Sequence, residues 1–406
     1  FLPGVQSGNE GTNNISVRGS NQWGNLVLLD EAVVYNPSHV LSFFSVFNND
    51  AIREVNLYKS FFPLKYGGRS SSVIDVRMRE GNSKERERSA SLGLIASKVL
   101  LEGPLKKKEG SYLVSGRFGY PGVVAGLLGS NLTSKPQMWF YDVNAKVNRT
   151  LDARNRMFFS LYSGGDHTVF NKLVKGYGMD WGNATATIRW NHILNDKTNV
   201  NTSAVFSNYY YKYKSLSDGL RYVWKSNMQS YQLKSDWERY QNNLLTLKGG
   251  VNLHYFTTMP GEVGKSGKDS NITPSEMSRK SLWDAALYAE ANYKFLPRFL
   301  LNAGVRLSVL HAPASTYYAA KTFVMPEPRA ELSFIPNASH RFSASYTQAA
   351  QSIHMLTTSS VGIPSDMWMP ANALLKPSVM RQLALGYEYN FPDKEYTLSL
   401  EAYMRL

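Results

Sequence analysis

The sequence predicts an all-β protein: an antiparallel transmembrane β-barrel, about 15 strands present of a probable 22, behind a small α+β N-terminal domain. Three observations carry this. Long runs alternate apolar and polar residues with period two; short polar turns recur at a regular spacing; and no apolar run approaches the roughly 20 residues that a membrane-spanning helix needs. The nearest such run, Val123 to Leu128, is far too short.

Taken in chain order, residues 1–80 are compact and mixed, with no long alternating run. A break falls at 81–88, where Gly81-Asn82-Ser83 leads into the charge run Lys84-Glu85-Arg86-Glu87-Arg88. From Ser89 onward short turns stand roughly 40 to 55 residues apart, at Lys107-Lys108-Glu109-Gly110, Asp152-Ala153-Arg154-Asn155, Asn195-Asp196-Lys197, Gln241-Asn242-Asn243, Pro297-Arg298, Pro336-Asn337-Ala338 and Pro392-Asp393-Lys394. Each joins two long runs, so each repeat reads as one β-hairpin.

Within the runs one face is apolar and the other wet. Trp283, Ala285, Leu287, Ala289 and Ala291 alternate with Asp284, Glu290 and Asn292; Leu301, Ala303, Val305 and Leu307 alternate with Asn302, Gly304 and Arg306; Leu398 and Leu400 alternate with Ser399 and Glu401. Runs of about 9 to 15 residues exceed the usual globular strand and suit a tilted membrane crossing, which turns the apolar face toward lipid. The connections between hairpins are long, as in Gly119 to Gln137, Thr257 to Arg279 and Thr357 to Val379, and short turns opposite long loops describe an outer-membrane barrel. Aromatic residues beside the short turns, such as Tyr293, Phe295, Phe299, Tyr387 and Tyr389, resemble an interfacial girdle. An odd count of about fifteen strands leaves an open edge, and the chain stops inside the pattern at Leu406, so a fragment lacking segments at both ends is expected.

Composition narrows the function classes. Zero Cys rules out disulfides, thiolate metal sites and a Cys nucleophile. A net charge of +14 is spread along the chain, which fits solvated turns and lipopolysaccharide phosphates rather than nucleic acid. The seven His show no metal-ligand spacing, and no nucleophile elbow, Walker loop or dinucleotide fingerprint occurs; Gly8-Asn9-Glu10-Gly11-Thr12 lacks the lysine that phosphate binding requires. No cofactor and no enzyme activity are expected.

The N-terminal motifs add a resemblance. Leu2-Pro3-Gly4-Val5, then Ile15-Ser16-Val17-Arg18-Gly19, then Leu26-Val27-Leu28-Leu29-Asp30 resembles the plug of TonB-dependent outer-membrane receptors. Val34-Tyr35-Asn36-Pro37-Ser38-His39, Phe43 to Asn48, and Phe62-Pro63-Leu64-Lys65-Tyr66-Gly67-Gly68-Arg69 before Val73-Ile74-Asp75-Val76 are similar to the Bacteroidetes branch. The resemblance implies a plug over 1–80, a linker over 81–88 and a barrel over 89–406, with the plug in the lumen. It further implies transport of a scarce nutrient, energised by the TonB-ExbB-ExbD complex through a segment preceding Phe1, with a surface lipoprotein lid as a further partner. Glu31 stands where the family has Gly, so a looser turn is expected there. Lys59 replaces a family arginine, which would make its plug-to-barrel contact a point charge rather than a fork.

Arg18, Gly19, Asp30, Gly67, Gly68 and Arg69 are the plug-motif residues, with Gly67 and Gly68 read as turn glycines. Asn36, Pro37, Ser38 and His39 read first as a turn; Tyr35, Asn36, Ser38 and His39 are also candidates for ligand contact. Arg18 is either a surface strand residue or, with Lys59, a partner for an inward carboxylate, with Glu290, Glu388 and Glu401 as candidates. Two other readings stand beside transport: a barrel serving adhesion or assembly, separable by binding of the TonB C-terminal domain, and a soluble β-propeller, separable by detergent dependence.

Overall fold

A computed structural model describes residues 4–7, 15–106, 109–128, 137–170, 176–215, 221–266, 272–356, 367–392 and 395–406. Leu2, Pro3, the 8–12 segment, Lys107, Lys108, Asp393, Lys394 and the central parts of the long connections lie outside the described residues.

The first part contains β1 (Val5–Ser7), β2 (Ile15–Val17), β3 (Leu26–Leu29), β4 (Ala32–Val33), β5 (Ser38–His39), β6 (Phe44–Ser45), β7 (Ile52–Tyr58) and β8 (Val73–Met78). A four-stranded sheet of order β4-β3-β8-β7 forms its centre, with β3 and β8 parallel. Its strands read Leu-Val-Leu-Leu and Val-Ile-Asp-Val because both faces are covered: Leu26 and Leu28 join one apolar cluster, Val27 and Leu29 the other. Helix in this part consists of two short 3-10 turns, Gln22–Gly24 and Asn49–Ala51, each capped by an Asn side chain.

The rest is one wall. It runs through β9 (Glu87–Leu92), β10 (Ala96–Pro104), β11 (Gly110–Gly119), the short helix α1 (Pro121–Leu128), β12 (Gln137–Thr150), β13 (Asn155–Phe170), β14 (Tyr177–Asn195), β15 (Thr198–Ser215), β16 (Tyr222–Asn242) and β17 (Leu245–Lys265). It continues through β18 (Ser275–Glu276), β19 (Lys280–Leu296), β20 (Phe299–Ala312), β21 (Lys321–Asn337), β22 (His340–Gln351), a hairpin of β23 (Ile353–Leu356) and β24 (Met367–Pro370), β25 (Ser378–Asn390) and β26 (Thr397–Arg405). Fifteen strands pair antiparallel in the order β26-β25-β22-β21-β20-β19-β17 and on down to β9; β18 lies beside β17 as the sixteenth strand, and β23-β24 pair separately.

Period-two alternation sets the two faces. Trp283, Leu287, Val305, Leu398 and Leu400 are exposed on the outside and Leu301 is half-buried, whereas Asp284, Glu290 and Arg306 are buried on the inside. Pro326 and Pro328 sit in β21 without breaking the sheet, because the ladder with β22 begins only at Arg329 and the missing N–H groups face no strand.

Residues 15–80 touch wall strands from Lys98 on β10 to Glu401 on β26, which a flat sheet would not allow, so the wall curls around them. Inward polar residues thereby find partners instead of lipid.

Candidate functional site

The functional geometry is the seam between the N-terminal unit and the wall, and its short-turn half is ionic. Arg18 and Gly19, at φ +53° and +69°, form the bend after β2 and turn the guanidinium outward. Its Nη2 donates to Glu401 Oε2 at 2.7 Å and to Ser60 Oγ, and its plane lies 4.8 Å from the Tyr403 ring. Lys59 Nζ reaches the other oxygen, Glu401 Oε1, at 2.7 Å. One wall carboxylate therefore serves two cations. The other two candidates lie elsewhere: Glu290 Oε2 accepts from the Leu64 backbone N–H at 2.8 Å, and Glu388, near the short-turn end of β25, is half-exposed and 4.0 Å from Arg341. Inward parity alone did not separate them, because height along the strand decides what each carboxylate meets: two cations for Glu401, a backbone N–H for Glu290 and a neighbouring strand for Glu388.

Asp30 and Glu31 make the hairpin between β3 and β4. Leu28 pairs with Val33 and Leu29 with Ala32, so this is a tight two-residue turn with φ +45° and +79°, tighter than the Glu31 substitution led us to expect. Left-handed backbone at a residue with a Cβ costs about 1–2 kcal/mol. The side chain explains why glutamate is tolerated: Glu31 is buried against Lys234 (3.0 Å), Arg189 (3.3 Å) and Arg77 (3.4 Å). Burial raises its pKa, but the three cations outweigh that and hold it far below the ordinary carboxylate range. Asp30 beside it takes Lys146 at 2.9 Å and the Ser160 hydroxyl at 2.7 Å.

The turn at 62–66 is gripped through its backbone. Arg329 Nη1 donates to the carbonyls of Phe62, Pro63 and Tyr66, Arg306 Nη1 donates to that of Leu64, and Glu327 lies between the two guanidiniums. Gly67 owes its identity to this grip: a Cβ there would stand 2.5 Å from Arg306 Nε, whereas Gly68 is a turn glycine with φ +80°.

Toward the long connections, Asn36 exchanges two hydrogen bonds with Asn183, and Ser38 Oγ donates to Asn36 Oδ1. His39 is buried, with Nδ1 2.6 Å from Asp166 and Nε2 2.7 Å from Asp142, stacked on Phe140 at 4.5 Å. Arg117 and Tyr162 complete the cluster on Asp142. Burial alone lowers the His39 pKa, but the two aspartates reverse this and push it up to about 9, so the ring is a cation at neutral pH. Asn36, Ser38 and His39 are thus occupied by the wall or by one another. Tyr35 is buried beneath Trp368, its phenol pushed up to about 12 by burial, and Arg69 lies under the same indole.

The arrangement is a body held inside a wall by charge pairs, hydrogen bonds and an apolar cluster that joins Leu28, Tyr35 and Phe62 to Trp181, Phe256 and Leu282 of the wall.

The β-barrel model of the TonB dependent receptor-like family matches residues 126–405. This chain belongs to the TonB-dependent receptor family. Its fold is similar to three solved receptors: BauA, the ferric preacinetobactin receptor from Acinetobacter baumannii (TM-score 0.72, 12% identity, 99% of this chain, 66% of that one); the FrpB iron transporter from Neisseria meningitidis, F3-3 variant (0.72, 13%, 99%, 69%); and FyuA, the ferric yersiniabactin uptake receptor from Yersinia pestis (0.71, 13%, 100%, 68%). The chain spans about two-thirds of their length. No curated protein matches it. At such identity the likeness concerns the fold.

Sequence reasoning about this TonB-dependent receptor placed Arg306 on the inward face but passed over Asp142, Asp166, Lys234, Glu327 and Arg329. A signal existed. Asp is depleted in strands, so Asp142 and Asp166 on inward parity mark sites of internal pairing, and Pro326-Glu327-Pro328-Arg329 inside a strand marks a ladder opened for another purpose.

Proposed function

We propose that this chain is the greater part of a TonB-dependent transporter of the outer membrane. Residues 1–80 act as the plug, 81–88 as the linker and 89–406 as the barrel wall, and a scarce nutrient passes when TonB-ExbB-ExbD, acting from the inner membrane, displaces the plug. The Bacteroidetes branch is supported by the N-terminal motifs. The observation that carries the reading is the seam itself: ion pairs and backbone hydrogen bonds seat the plug, and Arg18, Lys59 and Glu401 sit where Glu401 remains partly hydrated. Hydrated pairs of this kind hold weakly and re-form, about 0–1 kcal/mol each, so the Glu401 edge of the seam yields more readily than the buried pairs and the apolar cluster deeper in it. The three structural relatives are a ferric preacinetobactin receptor, an iron transporter and a ferric yersiniabactin uptake receptor, which favours a scarce metal chelate as cargo. The test is calorimetry of the full-length protein with the purified TonB C-terminal domain, together with growth on a limiting nutrient with and without TonB. Binding and TonB-dependent growth are expected; absence of both rejects transport in favour of an adhesion or assembly role.

A further inference from the structure

Beneath the long connections a cavity of about 230 Å³ is lined by Trp23, Asn25, Val27, Tyr35, Arg69 and Trp368, among others. Trp368 belongs to the β23-β24 hairpin, which folds inward from the connection between β22 and β25. The Trp368 carbonyl accepts from Thr258 Oγ1 at 3.2 Å, and its ring meets Trp23 and Tyr35 edge-on at 5.8 and 5.6 Å. The cavity is therefore walled by the plug and roofed by a loop of the barrel.

Its polar groups are unbalanced. Of the four buried arginines, Arg18, Arg306 and Arg329 each face a carboxylate. Arg69, only 6% exposed, faces none among the described residues. Its Nη1 donates to the Gly68 carbonyl at 3.1 Å, its Nε has no acceptor among the described residues, and its plane lies 4.9 Å from the Trp368 ring. The Trp368 indole Nε1 likewise has no acceptor. Asn25 adds nothing, because its amide donates to the Ile15 carbonyl and its oxygen accepts from Ser72. Burial lowers the Arg69 pKa to about 10, which still leaves a full positive charge at neutral pH. A buried guanidinium without an anion is unfavourable by several kcal/mol, and an aromatic face recovers only part of that.

We infer that this cavity is a subsite for a ligand carrying an oxyanion on an apolar or aromatic body, the oxyanion accepting from Arg69 and from the Trp368 indole while Val27, Trp23 and Tyr35 receive the body. The inference rests on the plug reading for the route by which the ligand arrives, and not for the binding itself. A ligand seated there touches plug and hairpin together, so occupancy of the subsite bears on both.

Calorimetry on the full-length protein in detergent tests this with three probes: 1-naphthoate, its neutral analogue 1-naphthamide, and sulfate. Naphthoate is expected to bind at least 10-fold more tightly than naphthamide, because one charge-assisted contact in a buried site is worth about that factor or more. Sulfate alone should bind at least 10-fold more weakly than naphthoate, since it leaves the apolar wall unused. Arg69→Gln should abolish the preference for the acid over the amide. Trp368→Phe, which keeps a ring and deletes the N–H, should weaken naphthoate several-fold and decides the matter if Arg69→Gln does not fold. Equal binding of acid and amide by the unaltered protein, sulfate binding as tight as naphthoate, or a preference that survives both substitutions would overturn the proposal. Binding of the TonB domain, measured on the same sample, separates the two readings: its loss with intact acid selectivity rejects transport alone, and the converse rejects the subsite alone.

Discussion

Replacing Glu31 tests whether charge pairs or backbone geometry govern the turn between β3 and β4. In Glu31→Gln the left-handed backbone remains and the charge is lost. Arg77 keeps Asp75 at 2.9 Å and Lys234 keeps Asp236 at 4.0 Å, so Arg189 is the cation left without a carboxylate. Breaking a buried pair costs about 3–5 kcal/mol, and with two of three cations still compensated the lower end applies, about 3 kcal/mol. Glu31→Gly loses the same contacts but relieves the φ of +79°, recovering about 1 kcal/mol after the added freedom of the unfolded chain is counted. Hydrogen exchange of the peptide spanning Leu26 to Val34 reads this directly: about 3 kcal/mol corresponds to on the order of 100-fold faster exchange for Gln, and Gly should fall between Gln and the unaltered protein. The folded pKa of Glu31 lies below its unfolded value, so its contribution is complete above about pH 4.3 and fades only as pH falls from there toward the folded value. Exchange within threefold of the unaltered protein in Gln, or slower exchange in Gly, would show that the turn and not the ion cluster sets the seating.

Three further outcomes are expected. His39, raised to about 9 between Asp142 and Asp166 with Arg117 and Tyr162 beside them, contributes fully below about pH 6.5 and loses that contribution as pH rises through about 9; exchange around β5 should therefore speed up over that window, and His39→Asn should remove the pH dependence. Arg18→Ala should raise ion leakage in planar bilayers without lowering the barrel's melting temperature, and adding Lys59→Ala, which leaves Glu401 with neither cation, should raise it further; unchanged conductance in the double variant rejects the seam as a seat. Spin labels at Leu287, Val305 and Leu400 should be quenched by lipid-soluble reagents while a label at Ala286, on the inner face, is not; equal protection at all four sites would place the apolar face in a packed core.

The alternation of Trp283 to Ala291 and of Leu301 to Leu307 determined the strand class, the outward apolar side and the count of about fifteen strands, because side-chain direction in a strand depends only on parity. The order of motifs from Arg18 to Asp75 pointed to a unit that precedes the wall. Which charges meet was decided by tertiary structure alone. Glu290, Glu388 and Glu401 share parity, but only Glu401 lies at the height of Arg18 and Lys59, and height depends on stagger between strands far apart in sequence. The same holds for Gly67, which is glycine because Arg306 on a distant strand passes beside it. The Asp30-Glu31 turn makes the point in reverse: local propensity argues against a left-handed glutamate, and three cations from β8, β14 and β16, brought together only when the wall curls around residues 15–80, hold it there.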